Sequence, residues 1–252
     1  MNDAFGPINI EVDGARVDAA TLWSTVSNFG HFTAMQVRER QTRGLSFHLR
    51  RLEAANDELF GVELDPGRVR ELVRHALGAV RDASVRVYVF ESDGEPSVMV
   101  TVKEPGGISG PLRLQSARYQ RPDAHLKHLA TGQGYYRRLA RRNGFDDALL
   151  TSADGTVSET AIANIGFFDE SGIVWPDAPL LQGVTMQLLE QRLPTRRAPV
   201  RVQDIEAFSG AFVANARGVA AVSHVDDVSL PVDAGRMNVV DEAYAAVPWD
   251  AV

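Results

Sequence analysis

Lysine is scarce in this chain. Of its 26 basic residues only Lys103 and Lys127 are lysines, and the other 24 are arginines. Arginine stays protonated and forms no imine, whereas a lysine amine can do so once burial or nearby positive charge lowers its pKa. Each lysine is therefore a candidate for covalent carbonyl chemistry. Lys127 lies in Ala124-His125-Leu126-Lys127-His128-Leu129. Upstream stands His48-Leu49-Arg50-Arg51-Leu52, and downstream come Gly155-Thr156-Val157-Ser158-Glu159-Thr160-Ala161-Ile162-Ala163-Asn164 and Leu181-Gln182-Gly183-Val184-Thr185. Other chemistries find less support. The chain has no cysteine, which excludes disulfides, thiolate metal sites and cysteine nucleophiles. His125 and His128 do not form a metal-ligand pattern, no HExxH occurs, and no metal is expected. Gly106-Gly107-Ile108-Ser109-Gly110 matches neither a P-loop nor a dinucleotide fingerprint and reads as linker. Arg137, Arg138, Arg141 and Arg142 read as a solvated basic helix face.

The elements that must position these residues are short. Strands are expected at 9–12 and 32–38, with Asp13-Gly14 as a turn. Leu49, Leu52, Ala55 and Leu59 line one side of a helix from Ser46 to Phe60. Asp65-Pro66 reads as cap and first position of a second helix, followed by Val69, Leu72, Val73, Ala76, Leu77 and Val80 at helical spacing. Alternating valines at 85, 87, 89 and at 98, 100, 102 flank the turn Asp93-Gly94-Glu95-Pro96 and predict a hairpin. The Gly/Pro-rich stretch from Glu104 to Pro111 sets the expected boundary between a small N-terminal α+β domain, 1–105, and a larger domain, 106–252. The second half reads as a strand at 112–119, a helix at 133–143, hairpins around Asp154-Gly155 and Ser171-Gly172, and a helix from Gly183 to Leu193. Strands near 199–202, 211–214 and 219–223 close the reading, and the fold class is α+β.

Composition bounds the setting. A length of 252 residues with 44% hydrophobic and 23% charged content is ordinary for a globular protein. A net charge of −7 argues against a nucleic-acid partner. The opening Met1 to Gly14 lacks a basic-then-apolar signal pattern, and no apolar run has the length of about 20 residues that spans a bilayer. A cytoplasmic location is the expectation.

The ordered set HLxRL, lysine, a strand-turn-strand ending in Ser-Glu, then asparagine, then Gly-Val-Thr resembles the class IV aminotransferases. That group includes branched-chain and D-amino acid aminotransferases and aminodeoxychorismate lyase. The likeness runs from about Phe32 to Val222. It implies a two-domain, fold-type IV architecture like that of D-amino acid aminotransferase, with pyridoxal 5′-phosphate as cofactor. By residue, Lys127 matches the lysine that forms the Schiff base and shuttles the proton. Glu159 matches the acid that pairs with the pyridine nitrogen and keeps it protonated. Arg51 matches the phosphate-binding arginine, whose fork donates two parallel hydrogen bonds. Val184 and Thr185 match the phosphate turn, where Gly183 permits close approach to free helix N–H groups. Asn164 and Asn215 are further cofactor contacts by the same likeness. Tyr135 and Tyr136 follow at a looser version of the spacing of a cofactor-side tyrosine. A homodimer is also implied.

The match breaks on the substrate side. Ser27 to Ala34 replaces an expected Tyr-Gly-Asp-Gly stretch, Gln36 replaces a basic residue, and Met186 stands where an arginine often follows the turn. His31, Gln36 and Arg38 are the candidates for substrate contact, with Arg118 and Arg121 as further possibilities. The implied activity is transfer of an amino group between an amino acid or amine and a keto acid. A lyase of the 4-amino-4-deoxychorismate type, releasing pyruvate, uses the same lysine, glutamate and phosphate cup and remains an alternative. A degenerate homologue that binds cofactor or metabolite without turnover is a third.

Overall fold

The computed structural model describes residues 9–17, 29–92 and 94–252. The N-terminal eight residues, Ser27 and Asn28 of the departing segment, and Asp93 of the hairpin turn lie outside the described residues. The chain forms two compact units. One comprises Met1–Gly106 with Leu126–Ala130 and Pro248–Val252, and the other Gly107–His125 with Thr131–Val247.

The first unit is built on five strands: β1 (Asn9–Val12), β2 (Ala15–Arg16), β3 (Gly30–Val37), β5 (Ala83–Ser92) and β6 (Glu95–Lys103), in the order β2-β1-β6-β5-β3. Every pairing is antiparallel. Val85, Val87 and Val89 on β5, and Val98, Val100 and Val102 on β6, all point into the core, as a period of two requires. Helices α1 (Leu45–Phe60) and α2 (Pro66–Leu77) cover that face with Leu45, Leu52, Val69, Leu72, Val73 and Leu77. Each buried valine or leucine contributes roughly 1.5–3 kcal/mol relative to exposure. The carboxylate of Asp65 accepts from Gly67 N at 2.8 Å with Pro66 at the first helical position, so α2 starts where the sequence places it. Two buried positions on α1 are polar, His48 and Asn56.

The second unit holds a nine-stranded mixed sheet. Its strands are β7 (Leu112–Arg118), β8 (Asp147–Thr151), β9 (Val157–Thr160), β10 (Asn164–Phe168), β11 (Ile173–Pro176), β12 (Thr195–Ala198), β13 (Gly210–Asn215), β14 (Gly218–Val225) and β15 (Val228–Ser229). The path runs β12-β11-β10-β13-β14-β7-β8-β9, with β15 on β14. The parallel β7–β8 pair requires a crossover, and α3 (Gln133–Arg142) lies within it. Helix α4 (Val184–Glu190) follows Gly183.

Two expectations change. The strand placed near 199–202 is instead β12, one step earlier, followed by a 3₁₀ turn over Val202–Ala207. Pro199 has no N–H to give a ladder, and a short arginine-bearing strand bounded by Pro194 and Pro199 suits a sheet edge. A helix α5 (Ala234–Ala245), capped by Asp233 accepting from Gly235 N and Arg236 N, was not anticipated. Only Val240 of it is buried, so its apolar period is too weak to read. The chain then returns to the first unit. Strand β16 (Trp249–Ala251) pairs with β4 (Gln41–Arg43), and Val252 enters the first core.

Gly30 opens β3 at a φ of +151°, and a Cβ there would stand 2.2 Å from the Val89 carbonyl oxygen on the paired strand. Replacement of Gly30 by alanine is expected to destabilise the protein by about 3 kcal/mol through backbone displacement and strain. Urea unfolding of the variant beside the wild type measures this, and an unchanged midpoint would refute the packing argument.

Candidate active site

Lys127 is placed by backbone pairing to β3. Phe32 N donates to the Lys127 carbonyl at 3.0 Å, Leu129 N to the Gly30 carbonyl at 2.9 Å, and His31 bridges His128. The Lys127 ammonium lies 4.7 Å from the centre of the Phe32 ring. A cation over an aromatic face is attracted by the ring's quadrupole.

Strand β3 carries the neighbours. Its alternation buries His31, Thr33, Met35 and Val37 on one face, so two polar side chains sit inside. His48 and Arg51, three apart on α1, share a helix face. The Thr33 hydroxyl lies 2.7 Å from His48 Nδ1, and Arg51 Nη2 donates to the same oxygen. Burial, then the charges of Arg51 and Lys127, hold His48 well below its usual pKa and so neutral. Arg51 is half-buried, its Nε is shut off from solvent with no hydrogen-bond partner, and burial lowers its pKa to about 10. No carboxylate pairs with it among the described residues. His31 Nε2 lies 3.4 Å from Asn56 Oδ1, and burial first of all brings its pKa to about 4. The first unit thus groups Lys127, Arg51 and His31 with Thr33, His48 and Asn56. Gln36 spends its amide on Ser84, Gly106 N and Arg38, and Arg38 also donates to the Val37 carbonyl.

The second unit carries the rest. Between Leu149↔Thr160 and Thr151↔Val157 the β8–β9 register shifts, a bulge that re-aims Ser158 and Glu159. Glu159 is buried, and its Oε1 accepts from Arg121 Nε at 2.7 Å while Leu181 N approaches Oε2 at 3.4 Å. Arg121 also donates to the Ala124 carbonyl. The carboxylate that Arg121 recognises is therefore the chain's own. Asn164 Nδ2 donates to the Leu181 carbonyl at 2.8 Å, which pins the Leu181–Thr185 turn to β10. A Cβ on Gly183 would stand 2.0 Å from Asn164 Oδ1, so the turn admits only glycine here without displacing that asparagine. The Thr185 hydroxyl donates to the Asn215 carbonyl at 2.8 Å, joining α4 to the end of β13. The first helical rung of α4 runs from Gln187 N to the Gly183 carbonyl, so the N–H groups of Val184 and Thr185 precede the ladder. Tyr136 packs against Tyr119, with ring centres 4.8 Å apart, and Tyr135 is exposed. Among the described residues no group of three or more His, Asp or Glu could hold a metal ion, and no helix is long and apolar enough to cross a membrane.

Thr33 and Asn56 escaped the sequence reading, and His48 entered it only as the first residue of the HLxRL motif, with no role of its own. Each carried a signal. Thr33 shares the alternating face of Met35 and Val37, and His48 lies one helical turn before Arg51. A polar residue on a buried-period face marks a built interaction.

The first unit thus holds a lysine over an aromatic ring and a shielded arginine with no carboxylate partner among the described residues, and the second a buried carboxylate held by an arginine. The comparisons supply the family. The family model described as amino-transferase class IV matches residues 30–225, and the chain belongs to that family. A search of curated protein sequences gives no significant match. A solved T.th. branched-chain amino acid aminotransferase, complexed with N-(5′-phosphopyridoxyl)-L-glutamate, superposes with a TM-score of 0.84 at 16% identity, covering 96% of this chain and 95% of that one. A branched-chain aminotransferase from Thermoproteus uzoniensis gives 0.80 at 19% identity, with 95% and 94% covered. A chain described as a putative 4-amino-4-deoxychorismate lyase from Legionella pneumophila gives 0.75 at 18% identity, with 86% and 90% covered. The fold is fold-type IV.

Two outcomes follow from the buried groups. Replacing Arg121 by methionine strands the Glu159 charge, and denaturant titration should show a loss of about 3–5 kcal/mol; a loss under about 1 kcal/mol would mean the pair is solvated. For His31 the folded pKa of about 4 lies below the ordinary 6.5, so the unfolded chain takes up the proton first as pH falls. Its contribution to stability is present above pH 6.5 and is lost as pH falls through 4. At pH 5 the loss is about 2 kcal/mol. Urea midpoints at pH 7 and pH 5 should therefore converge more in His31→Gln than in the wild type, and equal pH sensitivity would refute the assignment.

Proposed function

We propose that this chain is a pyridoxal-phosphate-dependent transaminase that moves an amino group between an amino acid or amine and a keto acid. The observation that carries the reading is Arg51, a shielded guanidinium without an anionic partner in the same unit as Lys127. A buried cation is costly unless compensated, and a dianionic phosphate is the compensation that a two-pronged guanidinium fits best.

When bound, the cofactor supplies an electron sink for charge developing at the substrate's α-carbon. Lys127 would hold it through Nζ, and the same amine is the group that could take up and return a proton at the substrate's α-carbon. A lysine suits both tasks because its amine can form an imine and can also carry a proton. Glu159 would pair with the pyridine nitrogen, as the family resemblance implies, and Arg121 orients that carboxylate. By the family resemblance, Arg51, Val184, Thr185 and Asn215 would each contribute to holding the phosphate. Asn164 fixes the Leu181–Thr185 turn and so the aim of its N–H groups. His31, Gln36 and Arg38 face the substrate in this proposal, and of the three Arg38 alone bears a permanent charge for a substrate carboxylate. The protein acts as a cytoplasmic homodimer on small amino and keto acids, with no nucleic-acid or membrane partner.

Visible absorbance tests the reading. Purified protein with pyridoxal phosphate should show a band above roughly 400 nm, the range of a lysine-bound cofactor, that is absent from Lys127→Ala. Adding L- and D-amino acids singly, one of them should bleach the band while its keto acid accumulates. A persistent band with pyruvate released from aminodeoxychorismate would replace the transaminase with the lyase. A colourless wild-type protein would leave only a degenerate homologue.

A further inference from the structure

We propose that Thr33 is a positioning residue for the phosphate site, its hydroxyl acting as a polarised link that fixes the Arg51 guanidinium without neutralising it. The inference rests on the assignment of Arg51 to the cofactor phosphate.

The donor and acceptor inventory fixes the first bond, and the proposal assigns the second. A guanidinium has donors only, so the Thr33 oxygen accepts from Arg51 Nη2. The hydroxyl proton is then free to point at His48 Nδ1, 2.7 Å away. In the proposed link that nitrogen accepts, which puts the His48 ring proton on Nε2. The order is Arg51 N–H to Thr33 oxygen, Thr33 O–H to His48 Nδ1. Each bond polarises the next in the same direction. Thr33 is fully buried and His48 nearly so, so no water competes for either bond.

The choice of a hydroxyl has a consequence. A carboxylate at Thr33's place would orient the arginine equally well but would satisfy its charge and compete with an incoming anion. A hydroxyl orients one prong and leaves the net charge, and the bare Nε, to the ligand. An apolar side chain would leave the guanidinium to sample other rotamers in a half-buried site, and each binding event would then have to order it. Thr33 therefore acts on ligands that bear a phosphate and has no bearing on those that lack one.

Two ligands separate these cases. Spectrophotometric titration with pyridoxal phosphate and with pyridoxal, which has no phosphate, gives a dissociation constant for each in wild type, Thr33→Val and Thr33→Ser. The isosteric valine variant should weaken pyridoxal phosphate about tenfold, the scale of one buried hydrogen bond, and leave pyridoxal within about twofold. Serine should restore wild-type affinity. Equal weakening of both ligands, or an unchanged constant for pyridoxal phosphate, overturns the proposal. A second measurement needs neither cofactor nor variant. Ring ¹⁵N shifts of His48 in the cofactor-free protein should report a neutral ring protonated at Nε2, and a proton on Nδ1 overturns the link even where the valine variant does not fold. Failure of the wild type to bind either ligand removes the cofactor reading itself, and Thr33's role with it, which is a different result from a wild type that binds beside an unaffected Thr33→Val.

Discussion

A charged group taken out of water must be compensated, and the two units of this protein meet that constraint in opposite ways. In the second unit the compensation is internal. Glu159 and Arg121 are both buried, bonded at 2.7 Å, and further satisfied by Leu181 N and the Ala124 carbonyl. Such a pair gains little net stability, because desolvation consumes most of the Coulomb energy. What it secures is a carboxylate held in one orientation. In the first unit the compensation is deferred. Arg51 meets only a hydroxyl among the described residues, and its depressed pKa records the cost of that state. In the proposed function a ligand phosphate would supply the compensating charge.

The surrounding packing follows from these demands. His48 and Asn56 occupy positions on α1 that a purely structural helix would fill with leucine or alanine. They are tolerated because each finds a partner: His48 in Thr33, and Asn56 in His31 and in the Val62 carbonyl at 2.7 Å. Both histidines are kept neutral by burial, and His48 by two nearby cations as well. In the second unit the bulge at Ser158–Glu159, the glycine at 183 and the Asn164 bond to Leu181 are comparable devices, each departing from regular structure to aim one polar group.

Much of the architecture was legible in the sequence. The paired valines of β5 and β6, the Asp65-Pro66 start of α2 and the order of the family motifs all carried their signals locally, because periodicity and capping act over a few residues. The 195–207 region and α5 were misread or missed for local reasons too. Two prolines shift and shorten an edge strand, and α5 buries a single residue.

By itself the sequence determined which residue types were available: one lysine in a motif, one glutamate after a turn, one arginine on a helix of known face. Those are statements about side-chain chemistry and near-neighbour spacing, and the chain fixes them without folding. Only the tertiary structure decided which groups are charged, buried and partnered. It joined Arg121 to Glu159 across 38 positions, and Thr33 to Arg51 across 18. It also turned Gln36 toward Ser84 and Gly106. The reason is that desolvation and hydrogen bonding depend on what is near in space, and a β-sheet brings together residues whose separation along the chain carries no signal of their contact.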